Sequence, residues 1–256
     1  MNSDDELSIL YDYSFNNPNF LIFLKENGKD KILKKNKTDW KSLSLHCKLS
    51  NEFMRTFHTK LNWKVLCIKQ KLNEQLMRDF YKKLVWRDVS RHQKNLSLGF
   101  MRKFKKKLNW KMISSFQKLD ERVIIEFHDK INWKLISQKQ KLSEDFMRKF
   151  YRKLEWYSLT EKQNMSEDFI IEFKHKIKWM LIFINKKVSE RVIIEYHNYW
   201  IRKHNYYDRQ MWNYICEYQE LTEGFIIYNK RLVNWDLILE HQDVSEEFIY
   251  NYYYGK

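Results

Sequence analysis

The chain has 256 residues, 43% hydrophobic and 17% aromatic, with 48 Lys and Arg against 33 Asp and Glu for a formal net charge of +15. This composition supports a sizeable buried core, and no apolar run approaches the roughly 18 residues a membrane span needs, so a chain without membrane insertion is expected. Four glycines leave little for a Gly-rich phosphate loop or a nucleophile elbow, and HExxH and paired-carboxylate motifs are absent, so the expectation is a protein without catalysis, cofactor or metal site.

Residues 1–37 follow no clear period and hold the only proline, Pro18. They read as an N-terminal cap with a degenerate helix pair. Asp4, Asp5 and Glu6 stand where a secretory signal would begin basic, which predicts an intracellular protein that is not secreted. Beyond them a beat sets in. Trp40, Trp63, Trp86, Trp110, Trp133, Trp156 and Trp179 are spaced by 23, 23, 24, 23, 23 and 23 residues. After a gap of 33 the beat resumes at Trp212 and Trp235, 23 apart, and only Trp200 stands outside the register.

With each unit numbered from its Trp, position 4 is always aliphatic (Leu43, Leu66, Val89, Ile113, Ile136, Leu159, Ile182, Ile215, Ile238). Trp and this residue share one helical face. Positions 14, 18 and 22, such as Phe146, Phe150 and Leu154, form the i, i+4, i+8 stripe of an amphipathic helix. Between the halves stands a residue able to cap a helix N-terminus: Ser50, Asn73, Ser97, Asp120, Ser143, Ser166, Ser189, Thr222 and Ser245. A Glu follows in most copies, where it favours the positive end of the helix dipole. Each unit thus predicts a helix of about two turns, a tight link and a helix of about three turns. One such pair cannot bury its apolar side alone and must stack. The predicted fold is an all-α solenoid of about nine helix-turn-helix repeats across residues 38–256. An extra residue near Asn95 and an insertion at about 200–211 are expected to lie in loops, and the last repeat caps the far end.

The basic residues recur in register: Lys41, Lys64, Arg87, Lys111 and Lys134 at position 2, Lys48, Lys71, Lys94, Lys118 and Lys141 near 9, and Arg55, Arg78, Arg102 and Arg148 near 16. Stacking at about 10 Å turns each set into a row fit to track a phosphate backbone. Against this, the absence of alanine and the abundance of Lys, Asn and Ile match AT-rich codons, which raise Lys content without any anionic partner. The central region nonetheless concentrates charge. Residues 31–200 hold 40 basic and 18 acidic side chains, whereas residues 1–30 and 201–256 are each acidic. Position 16 becomes Ile125, Ile171, Ile194 and Ile227 in the later repeats, either an added packing row or a patch where a partner or second copy docks.

Gln recurs at position 8 (Gln70, Gln93, Gln117, Gln140, Gln163, Gln219, Gln242). A reader of varied bases would vary between repeats, so a constant Gln suits bonding to backbone groups of the link. Cys47, Cys67 and Cys216 form no CxxC pair and replace Ser, Thr, Gln or small residues of other repeats, which predicts neither a disulfide frame nor a zinc site. The unit W-x-x-I-S-x-x-Q-x-L-S-E-x-F-I/M, clearest at 133–147 and 156–170, resembles the short Trp-marked repeats of large nucleocytoplasmic DNA viruses, the mimivirus relatives among them. The resemblance covers about residues 38–254 and implies a viral protein of the host cytoplasm or virion. It carries no activity. The functional expectation is an interaction scaffold with a protein partner on an extended basic surface, nucleic-acid binding being the first alternative and an oligomerising virion or assembly component the second.

Overall fold

The structure, a computed structural model, describes residues 40–46 and 48–254. The expected cap at 1–37 and Cys47 lie outside the described residues. Two compact units divide at a repeat boundary, between Asn132 and Trp133. In the first, four repeats supply α1 (Trp40–His46), α2 (Asn51–Thr56), α3 (Trp63–Lys69), α4 (Glu74–Asp79), α5 (Trp86–His92), α6 (Leu98–Phe104), α7 (Trp110–Phe116) and α8 (Glu121–Glu126). Five repeats in the second supply α9 (Trp133–Lys139), α10 (Glu144–Phe150), α11 (Trp156–Lys162), α12 (Glu167–Glu172), α13 (Trp179–Asn185), α14 (Glu190–His204), α15 (Arg209–Tyr218), α16 (Glu223–Tyr228), α17 (Trp235–His241) and α18 (Glu246–Ile249), followed by a π-helical turn, Tyr250–Tyr254. Among the described residues every regular element is helical, and within each unit the first helices of successive repeats pack on one another. Each unit is an α-solenoid stack.

Most caps do what their residue types predict, Ser189 being an exception whose hydroxyl donates to Glu167 instead. Ser97 Oγ accepts from Phe100 N at 3.1 Å, Asn73 Oδ1 from Leu76 N at 2.7 Å, and Asn109 Oδ1 caps α7 by accepting from Met112 N at 3.1 Å. The second helices are shorter than the three turns expected. Most hold six or seven residues, because the chain tightens after position 17 into a turn such as Lys60 N to Phe57 O at 2.9 Å. The stripe at 14, 18 and 22 therefore spans helix and turn together. Position 18 lies against its own Trp, with Trp63 and Phe80 centroids 5.1 Å apart and Trp110 and Phe127 4.5 Å. The indole N–H donates to the carbonyl five residues back, as from Trp63 to His58 at 2.8 Å and from Trp156 to Tyr151 at 2.9 Å.

Two polar ladders join successive repeats. Gln93 accepts from Leu72 N at 2.9 Å and donates to the carbonyls of Cys67 and Gln70 at 2.9 and 2.8 Å, so one buried carboxamide satisfies three backbone groups of the preceding repeat. Gln242 repeats the pattern on Leu221, Cys216 and Gln219. The position 5 hydroxyl forms the second ladder. Ser90 Oγ donates to Trp86 O at 2.6 Å and accepts from Asn109 N at 2.9 Å. Cys67 and Cys216 occupy this same position as buried free thiols, pushed up to about 11 by burial.

The insertions separate into two kinds. Asn95 takes the left-handed conformation, φ 58°, within the link of the third repeat, as a loop residue does. Residues 200–211 correct the loop expectation in part, only 205–208 forming a loop. They lengthen α14 to 15 residues and start α15 three residues before its Trp, since nothing in "WIRKH" breaks a helix until Asn205 ends it at φ 58°.

Replacing Gln93 with Leu strands one N–H and two carbonyls in the interior. The expected cost is about 2–4 kcal/mol, read as a lower urea midpoint together with faster amide exchange at Leu72. In the seventh repeat Lys186 stands in the ladder. Its ammonium donates to Gln163 O, and burial holds it below the usual lysine range. An ammonium accepts nothing. Lys186→Gln is expected to raise the unfolding midpoint, and the gain shrinks as pH rises from the depressed folded value toward the ordinary lysine value, the window in which the folded side chain has lost its proton and the unfolded one keeps it.

Candidate interaction surfaces

The rows separate by what their charges face. At position 16 the guanidinium groups are committed to carboxylates of the following repeat. Arg55 pairs with Asp79, Arg102 grips Glu126 through two bonds of 2.6 Å, and Arg148 reaches Glu172 at 2.8 Å with Asp145 and Glu144 of its own helix at 3.3 and 3.4 Å. Arg78 pairs with Glu74 one turn back at 3.1 Å and lies over the Phe100 ring. The guanidinium beside each holds Asp79 and Glu126 below the usual carboxylate range. This row ties repeats together and is not a free track for phosphate.

Glu at position 12 does more than meet a helix dipole. Glu74 accepts from the Ser97 N–H at 2.6 Å and its hydroxyl at 2.8 Å, and Glu167 does the same to Ser189 at 2.6 and 2.6 Å. Each carboxylate thus grips the cap of the next repeat. Some position 9 lysines are also structural: Lys94 reaches the carbonyl of Phe116 at 2.7 Å and Lys187 that of Tyr218 at 2.7 Å, both at the end of the next repeat's first helix.

Lys41, Lys64, Arg87, Lys111 and Lys134 at position 2 are exposed. In the first unit this row lies four residues after another that the sequence reading missed, the lysines of position 21, Lys60, Lys83 and Lys107, while the fourth of that set, Lys130, pairs with Asp129 at 3.0 Å. Their constant place before the buried Leu61, Leu84 and Leu108 was the available signal. Both rows flank the links between one repeat's second helix and the next repeat's first, and neighbouring links touch. Lys83 donates to His58 O at 3.0 Å, and Lys107 lies 5.7 Å over the Tyr81 ring. Segments 57–64, 80–87 and 104–111 carry nine cations (Lys60, Lys64, Lys82, Lys83, Arg87, Lys105, Lys106, Lys107, Lys111) and no Asp or Glu. None of the nine joins an ion pair among the described residues.

The isoleucines form no uniform face. Ile125 and Ile194 are exposed, at 37% and 42%, while Ile171 and Ile227 are half-buried. In the second unit Ile194 borders a pocket beside Trp212. No helix among the described residues is long and apolar enough to cross a membrane.

The fold is that of a helical-repeat protein. Comparison with family models, curated proteins and solved structures finds no match.

The ion-paired carboxylates set an acid limit. Glu126, with an ordinary value of 4.5 and held lower in the fold, contributes stability that is present above that value and lost as pH falls through its depressed one. Glu126→Gln is therefore expected to be less stable than the parent at neutral pH and to converge with it in acid, measured by denaturant unfolding across a pH series.

Proposed function

We propose that the chain is a non-enzymatic interaction scaffold that docks an acidic partner protein on the lysine edge of its first unit. The observation that carries this reading is the segregation of charge: nine cations outside any ion pair among the described residues along three adjacent links, while the arginines of position 16 pair within the stack. Codon bias would scatter lysine among acidic neighbours, whereas here anions are excluded from one edge. Such an edge holds a strong local potential and accelerates encounter with an oppositely charged surface. Eight of the nine cations are lysine, which attracts charge without the guanidinium fork that matches a phosphate.

The second reading, sequence-tolerant nucleic-acid binding, draws on the regular recurrence of the same cations from link to link. The third, self-association, draws on the exposure of Ile125 and Ile194. The resemblance to viral repeats supports assignment to an infected cell or a virion.

Charge reversal of Lys64, Lys83, Arg87 and Lys107 to Glu is expected to weaken binding of an acidic polypeptide such as polyglutamate by about 1 kcal/mol or more in total at low salt, without loss of helicity. Fluorescence anisotropy with labelled polyglutamate and labelled DNA and RNA, titrated with salt, separates the readings. Tighter binding of nucleic acid with a slope of several released counterions moves the function to the second. Equal binding by the reversed variant rules out the lysine edge.

A further inference from the structure

One edge of the repeats changes sign along the chain. It lies at the C-terminal ends of the first helices, where positions 6, 7 and 9 fall, at the opposite end of these helices from the position 2 cations. Position 9 is lysine in repeats one to five and in the seventh, but Glu220 in the eighth and Asp243 in the ninth. Position 6 follows it, with Arg91 in the third repeat against Glu217 and Glu240 in the eighth and ninth. In repeats two to four these positions hold Lys69, Lys71, Arg91, Lys94 and Lys118 and no carboxylate. In the eighth and ninth they hold four carboxylates and no Lys or Arg.

The frame of the repeat does not ask for these anions. The last turn of a helix carries the negative end of its dipole and favours cations. Lys94 and Lys187 accordingly donate to the closing carbonyls of the next first helix, Phe116 O and Tyr218 O, each at 2.7 Å. Glu220 stands in the same place one repeat on and, as a carboxylate, donates nothing. Glu217 lies in the last turn of α15 and Glu240 in that of α17. The chain's own cations neutralise this group only in part. Glu217 and Asp243 join no ion pair among the described residues, Glu220 meets Lys187 at 3.5 Å, and Glu240 meets His241 at 3.7 Å. The cationic edge is just as unspent, since Lys69, Lys71, Arg91 and Lys118 are exposed and in no ion pair among the described residues. Both edges carry a ring at position 7: Phe116, 40% exposed with the Arg91 guanidinium 4.7 Å over it, and the half-buried Tyr218.

We propose that the acidic edge of the second unit in one copy of this chain docks on the cationic edge of the first unit in another copy. Both edges belong to helical stacks whose repeats follow one another at about 10 Å, so carboxylates on neighbouring repeats meet cations on neighbouring repeats in matching steps. An unrelated basic protein offers the charge without that spacing. Arg91 supplies a fork for a carboxylate, the lysines add attraction around it, and Phe116 and Tyr218 give the contact an apolar centre. Two different surfaces meet, so the contact is heterologous and adds further copies unless it closes into a ring. Self-association by this route uses neither the isoleucines nor the lysine edge of the links.

Sedimentation velocity of the full chain over a concentration series tests this. At low salt the weight-average mass is expected to rise about 1.5-fold or more between roughly 5 and 200 µM, and to fall back to the monomer as salt screens the contact. Lys69→Glu, Lys71→Glu, Arg91→Glu and Lys118→Glu together make both edges acidic, and Glu217→Lys, Glu220→Lys, Glu240→Lys and Asp243→Lys together make both cationic. Each variant alone is expected to stay monomeric and their equimolar mixture to associate again, a recovery that no folding defect produces. If either variant fails to fold, the neutral set Glu217→Gln, Glu220→Gln, Glu240→Gln and Asp243→Asn decides, with self-affinity expected to drop at least about tenfold. Charge reversal on the lysine edge of the links should leave the mass unchanged, and polyglutamate binding there stands or falls separately. A parent that is monomeric at every concentration in low salt overturns the proposal. So does association that salt does not weaken, that survives reversal or neutralisation of an edge, or that a mixture of folded variants fails to restore.

Discussion

The need to satisfy the backbone of short helices governs this structure. A helix of six or seven residues leaves most of its N–H and C=O groups outside its own ladder, and stacking such helices buries many of those groups away from water. The position 8 carboxamide answers this with one acceptor and two donors on a side chain long enough to reach the previous repeat. Gln93 and Gln242 each serve three backbone groups, and the hydroxyls of Ser44 and Ser90 serve two more. The ladder makes each helix pair dependent on its neighbour and explains why a polar residue is constant where an apolar stripe alone would pack.

The other cross-repeat links build on that frame. A carboxylate on the first residue of a second helix caps the next repeat, as Glu74 does for Ser97, and an arginine one turn later pairs with the next repeat, as Arg102 does with Glu126. These contacts consume charge. The exposed arginine pairs add little stability individually.

The seventh and eighth repeats show how departures from the frame create something new. Lys186 enters the Gln ladder and gives up its acceptor, α14 runs past the turn that would present a carbonyl, and Asn229 replaces a ring. One polar group, the buried Trp212 N–H, is left without a partner.

The sequence by itself determined the repeat, its helical character and its caps, because the spacing of Trp, aliphatic and Ser or Asn reports local periodicity and local hydrogen bonding. It pointed correctly to a structural role for Gln70, Gln93 and their counterparts, since a constant residue cannot read a varying partner. Only the tertiary structure decided which side chains were spent. Arg55, Arg102 and Arg148 look in sequence as free as Lys64 and Lys107, and they differ because their partners lie about 24 residues away, one repeat up the stack. Most of residues 200–211 became helix, only 205–208 staying a loop, for a local reason, the absence of a breaker before Asn205. Trp212, without a ring at position 18, is nonetheless buried with the His197 ring 5.7 Å away, a contact between residues of two repeats that no local pattern displays.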